Sequence, residues 1–71
     1  MRGYFKKGDK GANVRLLQQL LNWLNNCNLD VDGDVGPLTI AQVKIFQKNN
    51  GLAVDGLFGK KSLAKAKTIK K

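Results

Sequence analysis

Val31-Asp32-Gly33-Asp34-Val35-Gly36-Pro37-Leu38-Thr39-Ile40-Ala41-Gln42-Val43-Lys44 is echoed 23 residues later by Val54-Asp55-Gly56-Leu57-Phe58-Gly59-Lys60-Lys61-Ser62-Leu63-Ala64-Lys65-Ala66-Lys67. Six of these fourteen positions are identical, and Val35/Phe58, Thr39/Ser62 and Ile40/Leu63 are similar in kind. Each copy carries one mechanical instruction. Asp-Gly makes a tight turn with positive φ at the glycine, an apolar residue (Val35 or Phe58) dips inward, and a second glycine opens a helix. Pro37 falls at N1, where a missing N–H and a fixed φ cost nothing. Thr39 and Ser62 fall in the first helical turn, where a hydroxyl can satisfy an orphan backbone group. A fainter echo, Gly8-Asp9-Lys10-Gly11, precedes them.

Outward from these copies, hydrophobic spacing predicts three helices. The first runs from about Ala12 to Asn26, with Val14, Leu17, Leu21 and Leu24 on one stripe and Leu16, Leu20, Trp23 and Cys27 on an adjoining one. Asn25, Asn26 and Asn28 favour turn and left-handed geometry and end it. The second runs from about Pro37 to Asn49, turns Thr39, Val43 and Phe46 inward, and stops at Asn50-Gly51. The third spans roughly Lys60 to Thr68. Leu29 to Val31 and Leu52 to Val54 are too short for a sheet. The fold class is therefore all-α, three helices bound by repeated Asp-Gly-x-x-Gly turns, with Tyr4-Phe5 packed beneath as an anchor. The folded core is expected over about residues 5–67, with 68–71 a basic tail.

Two glutamines complete the pattern. Gln18 follows Leu17 and Gln47 follows Phe46, each at the edge of a buried helix face. Amides so placed are expected to tie the backbone N–H and C=O groups of a neighbouring turn.

Composition removes most enzyme classes. The 71 residues contain no histidine and one cysteine, Cys27, which excludes a Cys/His zinc site, a histidine-activated nucleophile and an intrachain disulfide. All five acids are aspartates, at 9, 30, 32, 34 and 55. Asp30-x-Asp32-x-Asp34 has the start of a calcium loop, but position 6 is Val35 and position 12 is Ala41, where glycine and glutamate are needed. Asp32 and Asp55 sit in two separate exposed turns, which suits turn formation better than acid/base catalysis. Cys27, without a partner base, reads as a packing residue. No catalytic residue, metal or cofactor is expected.

The net charge is +8, divided as +1 over residues 1–35 and +7 over residues 36–71. Such a pole attracts polyanions: nucleic acid, anionic lipid, or a carboxylate- and phosphate-rich cell wall. The lysine-rich third helix has neither interleaved aromatics nor Arg and Asn for base edges, so no specific nucleic-acid recognition is expected. No apolar run approaches bilayer-spanning length, and Met1-Arg2-Gly3-Tyr4 begins no signal-peptide core.

Three blocks in order, Gly8-x-x-Gly-x-x-Val14-x-x-Leu-Gln18-x-x-Leu21, Asp32-Gly-x-Val-Gly-Pro-x-Thr39-x-x-x-Val43-x-x-Phe-Gln47 and Gly51-Leu-x-Val-Asp-Gly-x-Phe-Gly59-x-x-Ser62, resemble the peptidoglycan-binding-domain-like family over about residues 5–67. The wording around Gly3 to Asp9, Leu21-Asn22-Trp23 and Leu63 to Lys67 is most similar to C-terminal modules of Gram-positive phage endolysins and autolysins. Val35 stands where an aromatic is usual, and Gln42 where a small residue is usual.

The resemblance implies a non-catalytic module that binds peptidoglycan, with teichoic acids as a further anionic partner. It also implies a linked amidase, lysozyme or endolysin domain in the same full-length chain, and action at the bacterial wall after secretion or phage delivery. The expected ligand residues are Trp23, Asn25, Asn26, Asn28, Asp32, Asp34, Asp55, Leu57 and Phe58, around a groove framed by the two turns. Trp23 or Tyr4 would stack on sugar, the asparagines would bond amides, and the basic pole would add long-range attraction. The alternative is a protein-interaction or oligomerisation domain, with weak self-association, using an apolar patch of Leu38, Ile40 and Ile45, and nucleic-acid binding stands third.

Overall fold

A computed structural model describes residues 3–70. Met1 and Arg2, read above for a signal core, and Lys71, the last of the expected tail, lie outside the described residues. Three helices follow in order: α1 (Ala12–Asn25), α2 (Pro37–Asn49) and α3 (Lys60–Ala66). The only extended pairings among the described residues are two isolated antiparallel bridges, Phe5 with Phe58 and Lys10 with Asp34.

Each helix begins after a glycine. Gly11, Gly36 and Gly59 are the three N-caps, and Pro37 opens α2. α1 ends at Asn26, whose φ of 51° is left-handed. Gly51, at φ 69°, turns the chain after α2. α3 ends at Ala66, two residues short of the expected Thr68. The chain nevertheless stays attached beyond it. Ile69 N–H donates to the Ala66 carbonyl at 3.2 Å and the side chain packs on the core, so the folded part extends past the expected boundary at 67.

The core consists of Leu17 and Leu21 from α1, Val43 and Phe46 from α2, Phe58 from the second turn and Ala66 from α3. The Phe46 and Phe58 rings lie 5.8 Å apart in a tilted arrangement that suits their quadrupoles. Phe5, Leu20, Leu24, Leu29 and Leu52 close its edges. The broad apolar face expected of α1 is narrower here. Leu16 and Trp23 are exposed, and the inward position next to Leu17 belongs to Gln18, 1% exposed. Cys27 is half-buried, with Sγ 3.2 Å from Asn22 Oδ1, as befits a packing residue.

Residues 5–11 form an arm across both turns. Phe5 exchanges two backbone hydrogen bonds with Phe58, at 2.8 and 3.1 Å. Gly8 N–H donates to the Val35 carbonyl, Val35 N–H to the Asp9 carbonyl, and Gly11 N–H to the Gly33 carbonyl, each at 2.9 Å. Val35 and Phe58, equivalent in the repeat, are thus each pinned by the arm.

Gly33 and Gly56 have φ of 81° and 75° and are roofed by equivalent side chains: Arg15 of α1 over one, Lys44 of α2 over the other. A Cβ at Gly33 would lie 3.2 Å from the Gly11 carbonyl oxygen and 3.3 Å from Arg15 Nε, and at Gly56 3.2 Å from Lys44 Cε. Gly33→Ala is therefore expected to lower unfolding stability by about 1–3 kcal/mol. Gly56→Ala should cost less, because the Lys44 stem can swing aside while a backbone carbonyl cannot. Chemical denaturation of both variants checks the order.

Candidate functional site

Each Asp-Gly turn is held by one buried glutamine. Gln18 Nε2 lies 2.9 Å from Asp32 Oδ1, 2.9 Å from the Asp34 carbonyl and 3.2 Å from Thr39 Oγ1, while Gln18 Oε1 accepts from Gly33 N–H at 3.0 Å. An amide nitrogen carries two hydrogens, so these three acceptors share them. Gln47 repeats the arrangement. Its Nε2 donates to Asp55 Oδ1 and the Leu57 carbonyl, both at 2.9 Å, and its Oε1 accepts from Gly56 N–H at 3.1 Å. The two aspartates close the loops by accepting from Asp34 N–H and Leu57 N–H, at 2.9 Å each. The Thr39 hydroxyl thus accepts from a glutamine side chain, a different partner from the orphan helix group expected.

These bonds favour the charged form of both aspartates. The Gln18 amide, then Asp34 N–H, holds the Asp32 carboxyl below its ordinary 3.8. Leu57 N–H, then the Gln47 amide, does the same for Asp55.

The expected ligand residues do not converge on one groove. Asp32 and Asp34 line a cleft of about 300 Å³. Asp55 and Leu57 line a separate one of about 630 Å³. Asn25 and Asn26 line a third, near Gln42 and Ile69. Trp23 is exposed on α1 and lines none of these three; Asn28 is also exposed. The Asn25 amide donates to both the carbonyl and Oε1 of Gln42 at 2.9 Å, tying α1 to α2. Asp34 pairs with Lys10 Nζ at 3.2 Å. Phe58, expected beside the ligand, is 3% exposed and belongs to the core, because the turn drives it inward. Among the described residues, no three acidic or cysteine groups are placed to hold a metal ion.

The expected apolar patch also divides. Leu38 and Ile45 lie seven positions apart on one exposed face of α2, but Ile40 points away and is half-buried against the second turn, its Cγ2 3.4 Å from where a Gly56 Cβ would stand.

Two groups escaped the sequence reading. Asn22 clamps the connection after α1, accepting from Leu29 N–H at 2.7 Å and donating to the Leu29 carbonyl at 3.1 Å. Lys60 and Lys61 line the larger cleft with Tyr4. The signal for the lysines was the offset itself, because every residue lining the smaller cleft has its counterpart, 23 positions on, lining the larger. The fold has duplicated a cleft along with a turn.

Residues 10–65 match the sequence family described as "Putative peptidoglycan binding domain", and the chain belongs to it. It is a non-catalytic, peptidoglycan-binding module of the bacterial cell wall. The chain is similar to an N-acetylmuramoyl-L-alanine amidase, CwlL, of Bacillus licheniformis: 40% identical over 68 residues, covering 87% of this chain and 19% of the amidase. Among solved structures, a Burkholderia AP3 phage endolysin superposes with a TM-score of 0.86 at 32% identity, over 96% of this chain and 26% of the endolysin. A peptidoglycan-binding protein of Clostridioides difficile gives 0.81 at 33%, over 89% of this chain and 39% of that one. The chain thus spans well under half the length of each of these three relatives. No described helix is long and apolar enough to cross a membrane.

Two predictions test the glutamine clamps. Gln18→Leu and Gln47→Leu keep the volume but strand a buried Gly N–H and a carbonyl, so each is expected to lower stability by about 2–4 kcal/mol in chemical denaturation. Because the folded pKa of Asp32 and Asp55 lies below the unfolded value, their stabilisation is complete above about 3.8 and is lost as pH falls toward the folded values. Asp32→Asn with Asp55→Asn should therefore show a shallower fall in Tm below that pH than the parent, and a lower Tm at neutral pH.

Proposed function

We propose that this chain is the wall-targeting module of a longer lytic enzyme, an amidase, lysozyme or endolysin, and that it acts outside the cell after secretion or phage delivery. The observation that carries this reading is its likeness, over nearly its whole length, to minor parts of an amidase and an endolysin. The internal chemistry supports it. Gln18, Gln47, Asp32 and Asp55 serve to hold turns, and no general base stands beside a nucleophile among them. The repeated Asp-Gly-x-x-Gly segment is then the structural unit on which the module is built. Trp23, Asn26, Asn28, Asp34 and Leu57, whose side chains are exposed, are the proposed contacts from the expected set. Asn25, Asp32 and Asp55 contribute chiefly by holding backbone.

A tethered module needs only modest affinity, since the wall is a repeating surface and linkage raises effective concentration. The excess charge of residues 36–71 adds attraction to wall carboxylates and to teichoic phosphates. A second reading, docking or weak self-association, has in its favour Leu38, 76% exposed, with Ile45 on the same face.

The deciding experiment is co-sedimentation with purified peptidoglycan, with and without teichoic acids, at low and high salt, beside a duplex DNA control. Retention on stripped peptidoglycan at high salt is expected. Binding that vanishes with salt or with teichoic acid removal would assign anchoring to charge alone, and no binding to either wall would overturn the reading. Leu38→Lys with Ile45→Lys is expected to leave both wall binding and the sedimentation coefficient unchanged; a shift in the latter would favour the docking face.

A further inference from the structure

The duplicated clefts have the same frame and opposite chemistry. Asp32 and Asp55 occupy the same place in each, held by Gln18 and Gln47. Around that shared place, Asp30 and Asp34 of the first cleft become Ala53 and Leu57 in the second, and Pro37 and Leu38 become Lys60 and Lys61. Three aspartates line the first cleft, one of them, Asp34, paired with Lys10 at 3.2 Å; Lys60, Lys61 and one aspartate line the second. Asp32 and Asp55 are engaged alike, each through Oδ1 by a glutamine amide and a turn N–H, and both keep their charge, so the difference between the clefts lies in the residues around them.

The second cleft also has a wall the first lacks. Tyr4 Cβ stands 3.1 Å from where a Gly59 Cβ would be, so the N-terminal segment closes that side by fitting against a residue without a side chain. At Gly36, the equivalent position, nothing lies within 4 Å. The added wall accompanies the larger volume, about 630 against about 300 Å³. Gln47, buried and bonded to the turn through both atoms of its amide, is part of its lining, so a ligand meets a surface that is already organised.

Resting on the reading of this chain as a peptidoglycan binder, we propose that the second cleft, between Tyr4, Leu57 and Lys60-Lys61, is a recognition site for the free carboxylate of a wall peptide, and that the acidic first cleft is not. The carboxylate lies at Lys60 and Lys61, where two ammonium groups complement one anion. The adjoining apolar part of the peptide rests against Leu57 and Tyr4. The first cleft meets the same group with Asp30, Asp32 and a Lys10-paired Asp34, and has no lysine in its lining. Duplication has thus given one fold two copies of a cleft, of which only one suits this ligand.

The test is titration of the folded chain with a soluble wall peptide ending in a free carboxylate, and with its C-terminal amide, followed by NMR shifts and calorimetry. The free acid is expected to shift Leu57 and Lys61 amides and the Tyr4 ring, and the amide to bind roughly fivefold more weakly or worse. Lys60→Gln with Lys61→Gln should abolish that preference, while Lys65→Gln with Lys67→Gln, which removes equal charge outside the cleft, should keep it. Gly59→Ala, which forces the Tyr4 wall outward, should weaken the acid without changing net charge. Equal loss in the two lysine pairs, equal binding of acid and amide, or shifts centred on Asp30 to Asp34 would each overturn the proposal. Retention on intact peptidoglycan with no response to the peptide would overturn this site and leave the wall-binding reading standing; failure on intact peptidoglycan would remove both.

Discussion

A primary amide buried out of water has to find partners for both its oxygen and its nitrogen, and the two buried glutamines find theirs in the turns that follow their helices. Gln18 and Gln47 each satisfy a turn N–H, a turn carbonyl and an aspartate oxygen at once. The dependence runs both ways. Without the turn the amide would be stranded, and without the amide the turn would expose backbone groups in a protein too small to bury them elsewhere. Val35 and Phe58 reach the interior because the backbone just before them is fixed, and the N-terminal arm then pairs with the same two residues. Helix, turn and arm are thus parts of one hydrogen-bonded construction, made twice.

Much of this was legible in the sequence because it is local or periodic. The offset of 23 fixes the two turns, Pro37 fixes the start of α2, and Leu17-Gln18 and Phe46-Gln47 place each amide at the border of a buried stripe. What was not legible depends on rotations between elements. Leu16 and Trp23 fit an amphipathic pattern, yet α1 gives its inward place beside Leu17 to Gln18, so they face solvent. Phe58 was assigned both an inward place in the turn and a place beside the ligand, and a side chain cannot do both. The burial of Phe58 follows from the backbone, which is the stronger constraint. Ile40 looked like a partner for Leu38 in composition, but two positions along a helix is a rotation of about 200°, which sends it toward the second turn.

The site was harder to read for a related reason. The aspartates at the turns attract notice as chemistry-bearing residues, although their oxygens are largely spent on the fold. Lys60 and Lys61 look like an ordinary charged helix face until the turn before them and Tyr4 from the far end of the chain supply the other walls. A cleft made by three segments separated in sequence leaves little trace in any one of them. Only the internal repeat, by relating Pro37-Leu38 to Lys60-Lys61, carries that information along the chain.

The arm that pairs with both turns also orders events in time. The first unit, Gln18 with its turn and Thr39, closes over about twenty residues, so it can form while the chain is still being synthesised. The bridge between Phe5 and Phe58 spans roughly fifty and must wait for the second turn to emerge. Because Tyr4 precedes that bridge and walls the larger cleft, this cleft depends on a pairing between residues far apart in the chain. The smaller cleft is built from neighbours along the chain, whereas the larger exists only where two segments far apart in sequence have been brought together.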